Sequence, residues 1–219
     1  MSHIKNLYDE NSHNWKRLEK TSLSDYTGRD PLFQKLGMLN GEKIADVGCG
    51  EGYCSRKFIE LGAGEVVGVD ISEGMVRLAE ESFHNLHGRV SFFCADVTNF
   101  VPDEVLDADI FAFVFLFNYL TLAQSQDVLS YIREHKKSET PRLLATIPHP
   151  FLGYMNTKRF PFHFDMENEN YFEAEDREFY GEIYTKNGTA LPVRAVHKTF
   201  SSLVNMFINA GWKVNSVEE

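Results

Sequence analysis

The fold is decided by one stretch of the chain, Ile44-Ala45-Asp46-Val47-Gly48-Cys49-Gly50-Glu51-Gly52. Its apolar beginning predicts a short buried strand, and the glycines that follow predict a tight loop at the start of a helix. Glycines at such a junction permit unusual backbone angles and let a ligand approach the main chain closely. Because an ordinary turn at a strand end has the same composition, the neighbouring sequence has to decide between the two interpretations.

Strands and helices alternate on both sides of this loop. Apolar runs predict strands over residues 43–47, 65–69, 89–94, 108–115 and 142–147. Helices are predicted over 53–61, 72–85 and 125–136, after an opening helix over 4–20 and a short helix over 30–39 with Asp30 as its N-cap. This alternation predicts an α/β fold, with a Rossmann-like, doubly wound and mostly parallel sheet.

The pattern breaks after Pro148. Residues 149–178 lack regular periodicity, and aromatic residues alternate there with acids. Asn187-Gly188 is typical of a hairpin turn, here between strands at 182–185 and 191–197. We therefore predict a cap at 149–197, inserted after the fifth strand into a domain formed by 1–148 and 198–219. Residues 1–40 of that domain are expected to form a helical lid.

Composition and charge exclude several classes of function. The 219 residues are 43% hydrophobic with a formal net charge of −10, which predicts a globular protein and disfavours a nucleic-acid partner. The longest apolar run, 110–120, is about half of a membrane span. The N-terminus lacks the apolar core of a signal peptide, so we expect a cytoplasmic protein without a membrane partner. Three cysteines without a CxxC pair argue against a disulfide framework and a zinc site, and we predict no metal.

Three acidic residues follow successive strands of the predicted sheet. Asp46 ends the first strand, Asp70 ends the second, and Asp96 follows the third. The carboxyl ends of parallel strands meet at the edge where open α/β sheets bind their ligands. A carboxylate there can accept hydrogen bonds from an ammonium group, from both hydroxyls of a ribose or from an exocyclic amine. Each acid alone fits a solvated loop, but the ordered set favours one shared ligand.

Over about residues 43–147 the chain resembles the class I S-adenosylmethionine-dependent methyltransferases, whose first motif is similar to Asp46–Gly52. The resemblance implies S-adenosylmethionine as cofactor, with S-adenosylhomocysteine as product. It implies that Asp70 binds the ribose, that Asp96 and Val97 read the adenine, and that the backbone near Phe113 meets the methionine part. The implied cofactor-binding set is Asp46, Gly48, Cys49, Gly50, Asp70, Ile71, Met75, Asp96, Val97 and Phe113.

Two other nucleotide-binding classes can be weighed against this resemblance. Nicotinamide-dependent oxidoreductases use G-x-G-x-x-G, whereas the glycines here fall at 48, 50 and 52 and residue 53 is a tyrosine. An acid after the second strand suits both classes, so Asp70 does not discriminate between them. Phosphate-loop enzymes are excluded because no Gly-Lys-Ser/Thr follows the glycines.

The end of the chain departs from the family. A helix is predicted over 199–210 and a strand from Trp212, but these enzymes usually finish with an antiparallel hairpin. The sequence is then truncated, or the cap hairpin lies on that edge of the sheet, or the sheet is short by one strand. A missing strand would expose an edge and favour a homodimer over a monomer.

Two residues after the fourth and fifth strands are candidates for catalysis. Methyl transfer from a sulfonium is an in-line displacement, so a base is needed only if the acceptor must lose a proton. Asn118 stands where related enzymes often carry histidine, and its neutral amide could orient an acceptor. His149 lies between Pro148 and Pro150, and an imidazole titrates near neutrality, as suits a general base. A structural or solvated role is the alternative for each.

Aromatic residues supply the candidates for acceptor binding. Leu7-Tyr8-Asp9 resembles the opening of many such enzymes, in which an aromatic residue closes over the cofactor. The expected substrate-binding set is Tyr8, Tyr26, Tyr119, Phe151, Tyr180 and His197. Residues 163–182 contain eight carboxylates and one arginine among aromatic side chains. Such a mixture would attract a cationic amine, and a solvated surface is the alternative.

These observations predict an enzyme that methylates an oxygen or nitrogen of a small-molecule acceptor. One alternative is a non-catalytic module that binds S-adenosylmethionine, and another is the oxidoreductase described above. A protein or RNA methyltransferase is a further alternative, although the acidic balance disfavours RNA. The sequence also lacks an Asn-Pro-Pro-Tyr-like tetrad, which is typical of amino-group methylation on bases or glutamine.

Overall fold

The computed structural model describes residues 5, 6, 8, 9, 12, 15, 19–85, 88–155, 160–166 and 169–219. The described residues between 5 and 15 are all helical, whereas residues 19 and 20 are not. The opening helix predicted over 4–20 therefore ends before Glu19, and its other residues lie outside the described part of the chain.

Five parallel strands form the central sheet. They are β1 (Lys43–Val47), β2 (Glu65–Asp70), β3 (Val90–Cys94), β4 (Ile110–Val114) and β5 (Arg142–Thr146). Their order is β3-β2-β1-β4-β5, and every neighbouring pair is parallel. The chain reverses its direction of winding between β1 and β4, where open sheets of this type bind ligands. The predicted Rossmann-like, doubly wound fold is confirmed.

Helices cover both faces of this sheet. They are α1 (Asp30–Leu36), α2 (Tyr53–Glu60), α3 (Glu73–Ser82), α4 (Asp103–Leu106), α5 (Leu122–His135) and α6 (Phe200–Asn209). Along β4, Phe111 and Phe113 belong to the apolar core that contains α5 and α6. Ile110 and Val114 belong to the opposite core, with α1 and α2. The alternation follows from the period of two in a strand, and it leaves the strand ends free to carry a site.

A π-helical turn over Asp25–Arg29 leads directly into α1. The sequence predicts Asp30 as the N-cap of this helix, but Asp30 is itself helical and its N–H donates to the carbonyl oxygen of Asp25. Its carboxylate pairs with Lys20 instead of capping. A Cβ at Gly28 would lie 2.5 Å from Phe115 Cζ. Glycine therefore lets this turn approach the end of β4.

The inserted segment contains a second, antiparallel sheet. Its strands are β6 (Phe162–Phe164), β7 (Glu178–Tyr184) and β8 (Ala190–Val196), in that order. The hairpin predicted around Asn187-Gly188 is present; its first strand is longer than predicted, and its second is shifted by one residue. The segment also contains a 3₁₀ turn over Leu152–Tyr154. These elements lie in the chain between β5 and α6, and the cap as a domain of its own stays a prediction.

The strand predicted from Trp212 is wrong, because residues 212–219 contain no strand. The indole of Trp212 packs against Phe111, with 6.2 Å between ring centroids, and its Nε1–H donates to Leu129 O at 3.0 Å. Beyond the indole little apolar surface is buried, and Val217 is exposed. The hairpin of the inserted segment does not join the central sheet, which ends at β5 among the described residues. No described helix combines the length and apolar character needed to cross a bilayer.

Candidate functional site

A cavity opens at the carboxyl edge of the central sheet. The glycine loop, the ends of β2 and β4 and parts of the N-terminal segment form its wall. Of the residues predicted to bind the cofactor, all except Phe113 line it: Asp46, Gly48, Cys49, Gly50, Asp70, Ile71, Met75, Asp96 and Val97. The tertiary structure thus brings three separate sequence segments to one place.

The glycine loop is held against β2 by main-chain hydrogen bonds. The amides of Gly48 and Cys49 donate to Val69 O at 2.8 and 3.1 Å. Gly48, Gly50 and Gly52 all have positive φ, at 81°, 55° and 83°. L-residues with a side chain rarely adopt this conformation, so the glycines fix the path of the loop and leave its main chain open to the cavity.

Asp46 is fully buried beneath this loop. Its Oδ2 accepts a hydrogen bond from Ser55 Oγ at 2.6 Å, whereas its Oδ1 has no hydrogen-bond partner. Burial raises the pKa of this carboxyl to about 6, against the smaller opposing effect of the Ser55 hydroxyl. An unpartnered buried acceptor is costly in a folded protein, which indicates that a ligand supplies the missing donor.

Asp70 stands at the end of β2 and is bonded on both oxygens to main-chain amides. Oδ2 accepts from Gly50 N and Oδ1 from Ser72 N, each at 2.9 Å. Burial raises the pKa of Asp70, while these two amides act in the opposite direction. The carboxylate is therefore fixed in orientation at the cavity wall and keeps acceptor capacity for a further donor.

Asp96 is oriented by its own loop. Oδ1 accepts from the Thr98 amide at 3.0 Å and from the Thr98 hydroxyl at 2.7 Å, and Oδ2 accepts from Asn99 Nδ2 at 2.9 Å. Ile71, Met75 and Val97 provide apolar surface on the same cavity. A carboxylate beside apolar side chains suits a flat heterocycle with an exocyclic amine.

Arg29 also lines the cavity, although it is not among the residues predicted from the sequence. Its Nη1 lies 3.1 Å from Asp25 Oδ1 and 3.1 Å from Ser24 Oγ, and its guanidinium lies 4.8 Å from the centre of the Phe115 ring. Its Nε is buried without a hydrogen-bond partner. The neighbouring Gly28 was the available signal, since it allows the close approach that carries Arg29 to the sheet.

The unpartnered atoms of Asp46 and Arg29 provide a test of the implied cofactor. One is a buried acceptor on an acid and the other a buried donor on a cation, and both residues line the same cavity. This pair complements the ammonium and carboxylate of an amino acid such as the methionine part of S-adenosylmethionine. Asp70 and Asp96, for which the resemblance implies contacts with the ribose and the adenine, line the same cavity, so the residues present fit the cofactor.

The N-terminal segment reaches the cavity through Tyr8 and Trp15. The Tyr8 hydroxyl is hydrogen-bonded to that of Tyr119, and the two rings meet edge to face at 5.6 Å. Burial raises the pKa of both phenols. Asp9 Oδ1 accepts from Ser72 Oγ at 2.6 Å and Gly74 N at 3.0 Å, at the start of α3. The predicted lid residue Tyr8 thus contacts the loop after β4, and its neighbour Asp9 contacts the start of α3.

Two predicted residues near β4 lie outside the cavity wall. Phe113 is fully buried in the core and stacks on Phe117 with 4.8 Å between ring centroids. Its place at the cavity is taken by Val114 and Phe115, because the strand alternates its faces up to that point. Asn118 is half-buried, and its Oδ1 has no partner, but it is absent from the cavity lining.

The remaining predicted residues lie in or near the inserted segment. His149 is part-exposed, with Nε2 2.5 Å from Glu219 Oε1 and Nδ1 accepting from Phe151 N at 3.2 Å. Phe151 is half-exposed and stacks on Tyr171, while the buried His197 donates Nε2–H to Tyr171 O at 2.8 Å. Tyr26 and Tyr180 are exposed. None of these five predicted residues lines the cavity.

Part of the acidity of the inserted segment has structural partners. Asp176 Oδ1 accepts from Leu122 N at 2.6 Å at the start of α5, and Glu175 Oε2 accepts from Thr199 N at 3.2 Å at the start of α6. Carboxylates are favourable at helix N-termini. Glu178 pairs with Arg194. These acids hold elements together, which the expectation of a solvated or cation-attracting surface did not include.

The sequence and the fold of this chain are similar to those of known methyltransferases. Residues 44–139 match the family model described as a methyltransferase domain. The five-stranded parallel sheet and its helices match solved methyltransferase structures. Residues 44–139 therefore match a methyltransferase domain, on the fold of the S-adenosylmethionine-dependent methyltransferases, and the cavity residues fit S-adenosylmethionine as cofactor. This assignment replaces the nicotinamide-dependent and non-catalytic alternatives.

The similar proteins differ in what they share with the chain. An uncharacterised protein of Haemophilus influenzae is 25% identical over 93% of this chain and 80% of its own length. A ribosomal protein L11 methyltransferase of Neisseria meningitidis is 39% identical, but over 27% of this chain and 20% of its own. Among solved structures, the CcbJ methyltransferase of Streptomyces caelestis has a TM-score of 0.65 at 17% identity, over 93% of this chain and 84% of that one. Magnesium protoporphyrin IX methyltransferase of Synechocystis, with bound S-adenosylmethionine, has a TM-score of 0.57 at 14% identity, over 98% and 87%.

Proposed function

We propose that the protein transfers the methyl group of S-adenosylmethionine to an oxygen or nitrogen of a small molecule. The observation that carries this proposal is the contact of Tyr8 with Tyr119 across the cavity that holds Asp46 and Asp70. A site covered in this way by its own N-terminal segment suits an acceptor that can be enclosed. A folded protein or RNA acceptor would require a more open approach.

Methyl transfer requires little of the protein beyond aligning the acceptor atom with the methyl group. The cofactor supplies a methyl group already activated on a sulfonium, and the side chains bind, orient and exclude water. Tyr119 lies at the cavity with a neutral phenol, because burial raises its pKa. It can donate a hydrogen bond to an acceptor oxygen or accept one from an acceptor N–H. We therefore assign Tyr119 as the residue that orients the acceptor. His149, the base predicted from the sequence, lies outside the cavity wall and is the competing candidate.

A protein acceptor is the alternative, because similar sequences include ribosomal protein L11 methyltransferases. The shared segment of the Neisseria meningitidis protein is 59 residues long and covers a fifth of that chain. A segment of this size corresponds to one or two strand–helix units of this fold. The similarity therefore supports a shared cofactor site more than a shared acceptor.

Binding of S-adenosylhomocysteine tests the cofactor site by titration calorimetry. We expect Gly50→Val to weaken binding at least tenfold, because φ at Gly50 is 55° and a β-branched residue is strained there. Asp70→Ala should do the same. Gly188→Val is the matched control, since Gly188 also has positive φ but lies in the hairpin turn, and Asp127→Ala is the control for the acid. Unchanged binding in both site variants would refute the assignment.

The acceptor proposal is tested by transfer of a labelled methyl group to a panel of phenols, carboxylates and amines. We expect Tyr119→Phe to lower turnover at least tenfold with little change in affinity for S-adenosylhomocysteine, since the ring packing is kept. His149→Ala distinguishes the two candidates, because full turnover in that variant would remove His149 as a base. Purified L11 in the same assay is the competing acceptor, and preferential labelling of L11 would overturn the small-molecule proposal.

A further inference from the structure

The outer edge of β8 lies along the loop that follows β4. Four consecutive carbonyl oxygens of this loop accept hydrogen bonds from three residues of the β8 region. Val196 N donates to Asn118 O at 2.7 Å, and Arg194 Nη1 donates to Tyr119 O at 3.2 Å. Lys198 Nζ donates to Phe117 O at 2.9 Å and to Leu120 O. The main chain of residues 117–120 is therefore held by the antiparallel sheet and not by the parallel one.

Both cations in this contact are withdrawn from water. Arg194 is 9% exposed and Lys198 is 3% exposed. Arg194 also forms a two-point ion pair with the carboxylate of Glu178 on β7. Lys198 has carbonyl oxygens as its hydrogen-bond acceptors, and burial lowers its pKa to about 8 while Asp176 and Glu175 act in the opposite direction. Burying a lysine ammonium against carbonyl oxygens costs free energy. We therefore expect such a contact where the position of the bonded main chain is important for function.

The hydrogen bonds to residues 117–120 determine how this loop faces the cavity. Because the carbonyls of residues 117–120 are engaged on the far side, the loop presents Tyr119 and Leu120 to the cavity wall. Tyr119 in turn bonds to Tyr8 of the N-terminal segment. A displacement of β8 is thereby transmitted through Arg194 and Lys198 to the one phenol pair that spans the described cavity.

We propose that Arg194 and Lys198 are positioning residues, which fix Tyr119 at the cavity and couple the inserted sheet to methyl transfer. This inference rests on the proposed function, in which Tyr119 orients the acceptor. Neither cation lines the cavity, so both act through the carbonyl oxygens of the loop. The inserted sheet would then set the position of the group that orients the acceptor.

Fluorine NMR of protein labelled with 3-fluorotyrosine tests this without an acceptor. The signal that disappears in Tyr119→Phe identifies Tyr119, and Tyr131 on α5 serves as the internal reference. We expect Lys198→Met and Arg194→Gln each to move or broaden the Tyr119 signal and to leave Tyr131 in place. Affinity for S-adenosylhomocysteine should change less than about threefold, because Asp46, Gly50 and Asp70 do not contact the two cations. Lys198→Arg should restore part of the wild-type signal.

Lys186→Met, on the exposed turn between β7 and β8, is the matched control and should leave the Tyr119 signal unchanged. With an acceptor from the panel, the two site variants should lower kcat at least tenfold and leave KM for S-adenosylmethionine nearly unchanged. A wild-type Tyr119 signal in both folded variants would overturn the proposal, as would a loss that follows melting temperature alone. If Lys198→Met does not fold, Arg194→Gln decides. Failure of the acceptor panel would count against the proposed function and leave the NMR result standing.

Discussion

The buried carboxylate of Asp46 lowers the stability of the folded protein, and its unpartnered oxygen is available to bind a ligand. Its folded-state pKa is about 6, against an ordinary value of 3.8. The folded protein therefore holds more protons than the unfolded chain between these values, and the free energy of unfolding falls as pH rises through that interval. The charged form at pH 7 lowers stability by about 3 kcal/mol on this basis. Because the Asp46 carboxylate lowers the free energy of unfolding, we expect it to have a role in ligand binding.

We expect Asp46→Asn to raise the melting temperature of the ligand-free protein at pH 7, with a much smaller effect at pH 4, where wild-type Asp46 is protonated. The same variant should bind S-adenosylhomocysteine about 10- to 100-fold more weakly at pH 7.5, because an ammonium loses its charged partner. Wild-type affinity should fall below pH 6, and the variant should lose this dependence. Scanning calorimetry at pH 4 and pH 7 measures the melting temperatures, and titration calorimetry from pH 5 to 8 measures the affinities. A pH-dependent decrease in affinity that persists in Asp46→Asn would assign the titration to another group.

Arg29 provides the complementary prediction at the same scale. We expect Arg29→Met to weaken S-adenosylhomocysteine binding about tenfold or more, because Arg29 lines the cavity and its buried Nε has no hydrogen-bond partner. Arg77→Met is the matched control, since Arg77 is exposed on α3 and lies away from this cavity. Equal affinity in the two variants would show that the carboxylate of the ligand is held elsewhere.

At the scale of elements, the N-terminal segment is joined to the start of α3 by one carboxylate. Asp9 Oδ1 accepts from Ser72 Oγ and from Gly74 N, and its Oδ2 pairs with Lys5 at 2.6 Å. Burial acts to raise the pKa of Asp9, but the bonds from Lys5, Ser72 and Gly74 lower it overall. Because Asp9 is adjacent to Tyr8 in sequence, this contact also places Tyr8 over the cavity.

We expect Asp9→Ala to increase the dissociation rate of S-adenosylhomocysteine about tenfold, with a smaller change in the association rate. Stopped-flow fluorescence of Trp15 and Trp212 measures both rates. Glu73→Ala is the control, since Glu73 lies in the first turn of the same helix without this bond. An unchanged dissociation rate in Asp9→Ala would mean that the N-terminal segment does not limit release.

At the scale of the whole molecule, Phe113 tests whether residues of the hydrophobic core can be told apart from residues of the cofactor site. Its ring is fully buried and stacked on Phe117, although the sequence resemblance placed this position near the cofactor. We expect Phe113→Ala to lower the free energy of unfolding by about 3–5 kcal/mol. Its affinity for S-adenosylhomocysteine, corrected for the folded fraction, should stay within about threefold of wild type.

Phe172→Ala is the matched control, because Phe172 is 76% exposed and should cost less than about 0.5 kcal/mol. Urea denaturation with and without S-adenosylhomocysteine measures both properties. A Phe113→Ala protein that keeps full stability and loses binding would return Phe113 to the cofactor site and contradict its assignment to the core.

The extent of prediction differs between elements for physical reasons. The bounds of β1 and α2 were predictable to within a residue, because the spacing of apolar residues and the positions of glycines are local features of the sequence. The strand predicted from Trp212 is wrong, because the local alternation of Trp212 and Val214 finds no strand to pair with among the described residues. Arg29 was missed because it lies in an irregular polar segment, and its role depends on the approach that Gly28 permits. The positions of His149 and His197 depend on contacts with Glu219 and Tyr171 that no local pattern encodes.

The sequence by itself determined the α/β fold, the glycine loop and the three acids at the strand ends, since each depends on short-range geometry that the chain repeats. Tertiary structure decided which side chains meet. It alone brought Arg29 opposite Asp46, Tyr8 against Tyr119, and the β8 region against the carbonyls of residues 117–120. These contacts join residues far apart in the chain, and their energies depend on burial and on the pairing of polar groups, which are settled only after the chain has packed.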